Sequence, residues 1–149
     1  MKLNHKLTEE EIFNLLKKQL EKSYAKYSDF FVASILETKN DDSYSYYFGN
    51  NIENASYGLT ICAERNVICN FLSNKLANEE IINLYLLATN KSNNYNQIIL
   101  PCGACLQFIK EFFKENNCIF CYSINMDRKI FKINDLLPQA FLLNKKKEK

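Results

Sequence analysis

The runs CAER at residues 62–65 and PCGAC at residues 101–105 place three cysteines at predicted loop-to-helix junctions. Free backbone N–H groups and the helix dipole favour thiolates at such positions. Two cysteines three residues apart across a helix start can reach one metal ion, and a cysteine at a second helix start supplies a third ligand. Three protein ligands leave one corner of a zinc tetrahedron open, which is typical of catalytic sites. The sequence therefore predicts a zinc site formed by Cys62, Cys102 and Cys105.

A carboxylate follows the first of these cysteines by two residues. Glu64 would lie on the first turn of its helix, beside the metal, where it can transfer protons without being a ligand. Zinc-dependent nucleobase deaminases carry a metal ligand two residues before such a glutamate, followed later by Pro-Cys-x-x-Cys. A lone Cys-x-x-Cys would also fit a redox motif or half of a structural zinc site. The two motifs in this order resemble those of the zinc-dependent deaminases, and the resemblance implies that Glu64 carries protons.

The predicted elements follow the order α-β-β-α-β-α-β-β-α. A capping box of Thr8 and Glu11 opens the first helix, which continues to about Tyr24. The other elements are strands 31–36 and 44–48 as a hairpin, helices 63–72 and 103–115, strands 81–88, 118–124 and 129–133, and an apolar terminal segment 136–142. This order predicts an α/β fold, with a single mixed β-sheet of about five strands sandwiched by helices. Residues 1–149 are predicted to form one domain, with a flexible tail at 144–149.

Composition and the N-terminus limit the classes of protein that fit. With 149 residues, 47% hydrophobic residues and a net charge of +2, the chain can bury a core but lacks a basic footprint for nucleic acid. No apolar run could act as a secretory signal or cross a membrane, which predicts a soluble, cytoplasmic protein. In that reducing compartment, six cysteines are more typical of metal ligands or core residues than of disulfides.

Three cysteines remain beside the predicted ligands. Cys69 would lie about 10 Å along its helix from Cys62, too far to share a metal ion. Cys118 and Cys121 stand in a predicted strand, where residues three apart point to opposite faces of the sheet. We therefore expect all three to be small core residues. His5, the one histidine, lies in a segment predicted to fray and is not expected at the metal.

Five runs of the chain resemble the small, homotetrameric, zinc-dependent cytidine deaminases. They are YSDF at 27–30, NIENASYG at 51–58, CAER at 62–65, PCGAC at 101–105 and LLPQAF at 136–141. NIENASYG is the most specific, because it separates nucleoside deaminases from other members of the zinc deaminase fold. The resemblance implies a cytidine deaminase-like α-β-α fold, one Zn²⁺ per subunit and a homotetramer. The implied reaction is hydrolytic deamination of free cytidine and 2′-deoxycytidine to uridine and 2′-deoxyuridine with release of ammonia, as in pyrimidine salvage.

The resemblance also assigns a role to each residue of the site. Three residues would bind zinc, and a fourth would carry protons from a water to the cytosine ring nitrogen and the departing amino group: Cys62, Cys102, Cys105 and Glu64. Five would contact the substrate: Phe30 at the pyrimidine ring, Asn51 and Glu53 at the ribose 3′-hydroxyl, Ala63 through its backbone, and Phe141 from a neighbouring subunit. Arg65 resembles the family arginine that donates to the thiolates and offsets part of their negative charge.

Some positions depart from the family pattern, and other functions stay open. Lys26 stands where proline is usual, Ala33 where glycine is common, and Leu106 where an arginine often follows the last cysteine. An aminonucleoside deaminase of the blasticidin type would share the zinc motif, and a zinc-stabilised module without catalysis is a second alternative. A polynucleotide deaminase fits less well, because it needs a basic, aromatic-lined surface and because Glu53 would repel a 3′-phosphate.

Overall fold

A mixed six-stranded β-sheet forms the centre of the protein. The computed structural model describes residues 1–41, 43–92 and 94–143. The strands are β1 (Lys2–Leu3), β2 (Phe30–Asn40), β3 (Ser43–Asn50), β4 (Glu80–Asn90), β5 (Cys118–Tyr122) and β6 (Arg128–Phe131). The helices are α1 (Glu9–Leu20), α2 (Ala63–Asn74), α3 (Gly103–Phe112) and α4 (Ile133–Leu136), with a 3-10 turn at Tyr57–Leu59. The strand order is β1-β3-β2-β4-β5-β6; β4 and β5 run parallel and the other neighbours antiparallel.

The predicted α/β class and the single mixed sheet are confirmed, with one strand more than expected. The additional strand is β1, which pairs with the sheet edge because the Met1 ammonium donates to Tyr46 O at 3.0 Å and Tyr46 N donates to Met1 O at 2.8 Å. Leu7 N also donates to the Tyr46 hydroxyl at 2.8 Å. The expected fraying of this segment is therefore wrong, since the chain before α1 is held to β3. The predicted tail at 144–149 lies outside the described residues.

Helix α1 begins where the sequence predicts and ends earlier. Thr8 N donates to Glu11 Oε2 at 2.8 Å, and Glu11 N donates to Thr8 Oγ1 at 3.3 Å, which completes the capping box. The helix ends at Leu20 rather than near Tyr24, because Tyr24 pairs with Ile52 in an isolated β-bridge. This bridge draws the chain before β2 towards the loop that precedes α2.

Helices cover both faces of the sheet and enclose an apolar core on each. On one face, α1 buries a cluster that includes Ile12, Leu16, Ile35, Tyr46 and Leu87. On the other face, α2 and α3 bury a larger cluster that includes Leu36, Val67, Ile68, Leu86 and Ile109. Neighbouring residues of one strand enter different cores because strand side chains alternate between faces. None of the helices described here is long and apolar enough to span a membrane.

The cysteines outside the predicted metal site behave differently from one another. Cys121 is buried as expected, and Cys118 is half-buried. Cys69 is exposed, so its assignment to the core is wrong. The buried residues of α2 lie at positions 63, 64, 67, 68 and 71, and Cys69 therefore falls on the helix face that points away from the sheet. All six cysteines of the chain carry free thiols.

A glycine sets how closely α2 approaches the sheet. At Gly49 in β3, a Cβ atom would lie 2.5 Å from Val67 N and 2.6 Å from Ala63 O, distances that would force the helix to move. The first turns of α2 therefore rest directly on the backbone of β3. Because Cys62 is the N-cap of α2 and Glu64 lies in its first turn, this contact positions both residues.

Candidate active site

Three cysteine side chains meet between the N-termini of α2 and α3. Cys62 is the N-cap of α2, Cys102 is the N-cap of α3, and Cys105 is the third residue of α3. Their Sγ atoms all lie within 4.8 Å of one another, and within the described ranges this is the one such group of potential metal ligands. Cys105 is buried, Cys62 is half-buried and Cys102 is exposed, so the group is open on one side. The structure thus brings together the three predicted ligands.

The pKa values of Cys62 and Cys105 indicate that a bound cation would stabilise the thiolate forms of this group. A hydrogen bond from the Cys105 thiol, with a smaller contribution from the Arg65 guanidinium, lowers the pKa of Cys62 to about 5. The same hydrogen bond, together with burial, raises the pKa of the Cys105 thiol far above its usual value. One thiolate therefore forms readily, whereas further thiolates need a cation to balance their charge. Three closely spaced sulfurs at two helix N-termini fit a zinc ion.

Arg65 lies beside the sulfurs, as the resemblance implies. Its Nη2 atom donates to Thr60 O at 3.0 Å and lies 4.0 Å from Cys62 Sγ. Burial alone would lower the pKa of the guanidinium, but the hydrogen bond to Cys62 and the thiolate charge outweigh burial and raise that pKa. Leu106, at the position where the family often has another arginine, is buried in the apolar core beside α3. Arg65 therefore places a permanent positive charge next to the Cys62 thiolate.

Glu64 combines burial with the proximity of a thiolate. Its side chain is 4% exposed on the first turn of α2. Burial is the main cause that raises the pKa of the Glu64 carboxyl to about 7, and the Cys62 charge adds to the effect. A carboxyl group with such a pKa can take up and release a proton near neutral pH, as a general acid and base must.

A cavity of about 240 Å³ has Cys62, Cys102 and Glu64 on its wall. The other predicted site residues that line it are Phe30, Asn51, Glu53 and Ala63. Five further residues to which the sequence analysis gave no role also line it: Ser28, Val32, Thr60, Ile99 and Leu100. Their sequence signal was proximity to the motifs, since Ser28 belongs to the run at 27–30 and Ile99 and Leu100 directly precede the run at 101–105.

Asn51 is held by the backbone at the start of β2. Its Oδ1 atom accepts a hydrogen bond from Val32 N at 2.9 Å, and its Nδ2 atom donates to Phe30 O at 2.8 Å. The Phe30 ring is half-buried and meets the Tyr95 ring edge-on, with the centroids 5.2 Å apart. These contacts fix an amide and an aromatic ring on the wall of the same cavity.

Glu53 collects three hydrogen bonds from the turn that precedes β2. Tyr27 N donates to its Oε2 at 2.7 Å, Ser28 N donates to the same atom at 3.2 Å, and the Ser28 hydroxyl donates to Oε1. Burial works against ionisation, but the hydrogen bonds from Ser28 and Tyr27 outweigh it and hold the pKa of Glu53 below its usual value. The cavity thus contains an ionised carboxylate that is fixed in position.

Phe141 does not reach this cavity within its own chain. Its side chain is 71% exposed, and its backbone lies against α3, where it is paired with Gln107. The other predicted substrate residues line the cavity, and Phe141 points away from the core of its own chain. The structure therefore separates one predicted site residue from the rest.

Comparison with known proteins adds an independent line of evidence. Residues 7–121 match the family described as the cytidine and deoxycytidylate deaminase zinc-binding region. The chain is 32% identical over 136 residues to the cytidine deaminase of Mycoplasma genitalium, covering 91% of this chain and 97% of that protein. It is 33% identical over 121 residues to the cytidine deaminase of Halalkalibacterium halodurans, covering 81% of this chain and 84% of that protein.

Solved structures of related enzymes share the fold. The crystal structure of cytidine deaminase from Burkholderia pseudomallei aligns with a TM-score of 0.76 at 32% identity, over 91% of this chain and 100% of that one. Cytidine deaminase from Mycobacterium tuberculosis aligns with a TM-score of 0.71 at 26% identity, over 93% of this chain and 100% of that one. The family match at residues 7–121 spans both cysteine motifs. The chain belongs to the zinc-binding cytidine deaminase family.

Proposed function

We propose that this protein catalyses the hydrolytic deamination of free cytidine and 2′-deoxycytidine to uridine and 2′-deoxyuridine, with release of ammonia, as a step of pyrimidine salvage. The observation that carries the proposal is a single cavity. Glu64 lies there beside the cysteine sulfurs, and Asn51 and Glu53 line the same wall. Curated relatives named cytidine deaminase cover up to 91% of the chain, which supports the same activity.

Cys62, Cys102 and Cys105 would hold one Zn²⁺ per subunit. A zinc ion with an open coordination position supplies Lewis acidity and makes a water nucleophilic near neutral pH. Three thiolates carry more negative charge than the ion can neutralise. Arg65 and the N-termini of α2 and α3 offset part of that excess.

Glu64 moves the protons of the reaction. It takes a proton from the water that attacks C4 of cytosine and delivers a proton to N3, so that negative charge does not accumulate on the ring. It then takes the remaining proton from the oxygen now bonded to C4 and delivers it to the amino nitrogen, so that the C4 carbonyl forms as the C4–N bond breaks and ammonia leaves. The pKa of about 7 supports both directions of transfer at physiological pH.

Ala63 contributes through its backbone N–H. Its carbonyl oxygen already accepts a hydrogen bond from Ser34 Oγ at 2.7 Å, which leaves that oxygen directed towards the sheet. The first N–H groups of a helix have no partner within the helix, and that of Ala63 is one of them. The N–H can therefore donate to an oxygen of the pyrimidine ring.

Glu53 and Asn51 select a free sugar hydroxyl. The Glu53 carboxylate keeps further acceptor capacity for the 3′-hydroxyl, and Asn51 Nδ2 has a second proton to donate. A 3′-phosphate in this position would meet the negative charge of Glu53. The pair therefore favours a nucleoside over a polynucleotide, in keeping with the small net charge of +2.

A homotetramer supplies Phe141 to the cavity of a neighbouring subunit in this proposal. The Phe141 side chain is exposed and does not line the cavity of its own chain, which supports an intermolecular role. Tyr57 and Leu59, beside the cavity, are exposed as well and supply apolar surface for such contacts.

Free thiols at all six cysteines suit a cytoplasmic location. The sheet with its two cores supports residues 1–149 acting as one domain.

Loss of cytidine absorbance in the ultraviolet, measured beside zinc content, tests the proposal. The purified protein should deaminate cytidine, lose activity with a chelator and regain it with zinc. Glu64→Ala should retain zinc and lose activity. Full zinc occupancy without any deamination would instead support a zinc-stabilised module, and a strong preference for an aminonucleoside antibiotic would support the blasticidin-type alternative.

A further inference from the structure

The segment after α4 is tied to α3 by one side chain. Gln107 Nε2 donates to Phe141 O at 2.9 Å, and Phe141 N donates to Gln107 Oε1 at 3.1 Å. An amide side chain is able to donate to the carbonyl and accept from the N–H of the same residue at once. In the described part of the chain, these two are the hydrogen bonds that hold residues 138–143. Gln107 therefore determines where this end segment lies.

The position of Gln107 links the end segment to the metal site. Gln107 lies two residues after Cys105 on the helix whose N-cap is Cys102. A shift of the segment relative to α3 would therefore be a shift relative to two of the three sulfurs. Because α3 holds both the end segment and two of the zinc ligands, the side chains of the end segment have a defined position relative to those ligands.

Three consecutive apolar side chains are displayed by this arrangement. Phe141, Leu142 and Leu143 are 71%, 61% and 81% exposed. None of the three lines the cavity of its own chain. Exposed apolar groups on a segment without helix or strand hydrogen bonds would sample many conformations unless something holds the backbone. The two Gln107 bonds restrict the conformations at Phe141, the first of the three.

We propose that Gln107 is a positioning residue, which holds the end segment so that Phe141 is presented in one orientation to the cavity of a neighbouring subunit. This inference rests on the proposed intermolecular role of Phe141. Gln107 acts before substrate arrives, by lowering the entropy that Phe141 loses when it covers the base. The effect belongs mainly to substrate binding, because Gln107 does not line the cavity.

The test compares Gln107→Met with Lys110→Met in the zinc-loaded enzyme. Methionine keeps the length of the glutamine side chain and removes both hydrogen bonds. Lys110 is the matched control, because it lies on the same helix and its Nζ donates to Asn134 Oδ1 at 2.6 Å, which ties down α4 and not the end segment. Gln107→Met should raise the KM for cytidine about fivefold with little change in kcat, while Lys110→Met stays near wild type.

Hydrogen exchange and oligomeric state complete the comparison. The Phe141 amide should exchange about tenfold faster in Gln107→Met, with the amides of α3 unchanged. A wild-type KM in Gln107→Met would overturn the proposal. So would a loss of activity that disappears entirely when a higher enzyme concentration restores the assembly, because the side chain would then serve only subunit association.

A double-mutant cycle with Phe141→Ala separates this inference from the function on which it rests. If Gln107 acts through Phe141, the double variant should have the KM of Phe141→Ala alone. Independent, additive increases in KM would overturn the role of Gln107 and leave that of Phe141 intact. An active enzyme in which Phe141→Ala has the wild-type KM would instead refute the intermolecular role of Phe141, and the inference with it.

Discussion

Two buried glutamates on opposite faces of the sheet have contrasting surroundings. Glu37, at 0% exposed, accepts hydrogen bonds from Tyr85 OH and Asn83 Nδ2, both at 2.6 Å, and Lys6 Nζ lies 3.4 Å away. Glu64, at 4% exposed, faces cysteine sulfurs and an open cavity. Burial is common to both residues. Donors tie the Glu37 carboxyl group into the fold, whereas the Glu64 carboxyl group has an open side towards the cavity.

Tyr46 OH also donates to Glu37 Oε1 at 3.5 Å, and both tyrosine donors around Glu37 are fixed in the protonated form. Burial raises the pKa of Tyr46 to about 12, and burial followed by the hydrogen bond to Glu37 raises the pKa of Tyr85 further. Both tyrosines therefore keep their hydroxyl protons at physiological pH. Tyr46 also accepts the hydrogen bond from Leu7 N, so this network fastens the chain before α1 to the sheet. A carboxylate in such a network has no open side for a substrate.

Replacement of the carboxylate in the cavity should have the largest effect. Glu64→Gln keeps the shape of the side chain and removes its ability to carry a proton, so kcat should fall roughly 10²–10⁴-fold. The free energy of unfolding should stay the same or rise, since the variant no longer buries an ionisable group with few donors. Steady-state kinetics, zinc analysis and urea unfolding check this. Loss of zinc from the variant would make Glu64 a structural residue and remove the contrast with Glu37.

Replacement of the other glutamate should have the opposite profile. Glu37→Ala leaves Tyr85 OH and Asn83 Nδ2 without their buried acceptor, which should lower the free energy of unfolding by about 2–4 kcal/mol. The kcat/KM of the folded enzyme should remain near wild type, because Glu37 lies on the α1 face. Urea unfolding and kinetics below the unfolding transition provide the measurement. A variant of unchanged stability with reduced turnover would show that Glu37 belongs to the catalytic system.

Removal of the charge beside the sulfurs should have a moderate effect on the pH profile. Arg65→Gln deletes a positive charge, so nearby acidic groups should hold their protons more tightly and have higher pKa values. The acidic limb of the pH–rate profile should move to higher pH by roughly one unit, with slower turnover at neutral pH. Arg128→Gln is the matched control, because Arg128 lies on β6 and pairs with Glu9. An acidic limb that stays in place would contradict the role given to Arg65.

A third glutamate, Glu79, tests whether a carboxylate that is both buried and surrounded by donors serves stability, and its replacement should have the smallest effect. Thr38 Oγ1, Leu76 N and Tyr47 OH donate to Glu79, and although burial opposes ionisation, these bonds hold its pKa below the usual value. The stabilisation is complete above the ordinary glutamate pKa of about 4.3 and is lost as the pH falls through the lower pKa of the folded state.

Glu79→Gln should therefore lower the free energy of unfolding at pH 7 by about 1–2 kcal/mol. The difference in the free energy of unfolding between the variant and wild type should shrink between about pH 5 and pH 3, because the ordinary glutamate pKa of about 4.3 lies within this range. Urea unfolding across this range gives the result. Equal pH dependence in the two proteins would show that Glu79 adds nothing to acid stability.

The local part of this picture could be predicted from the sequence, and the long-range part could not. The capping box at Thr8 and the cysteines at helix starts depend on residues a few positions apart, and spacing rules describe them well. The pairing of Met1 with Tyr46 and of Gln107 with Phe141 joins residues 45 and 34 positions apart. Neither pair has a local pattern that would reveal it.

Two side chains show why burial was harder to predict than element type. Cys69 looked like a core residue because cysteine is often buried, yet the helix turns it towards solvent. The predicted strand 31–36 ends before Glu37, yet the strand continues to Asn40 and places Glu37 in a core. In both cases the outcome depends on which neighbours the tertiary fold supplies, and composition does not contain that information.

Gly49 has a consequence for how this site tolerates sequence change. The depth at which α2 rests on β3 is set by the absence of a single carbon atom, since a Cβ would lie 2.5 Å from Val67 N. Even alanine would force the first turns of α2 to shift, and the Cys62 sulfur and the Glu64 carboxyl group would shift with them. A position outside the cavity wall and the cysteine group thereby constrains the geometry of both.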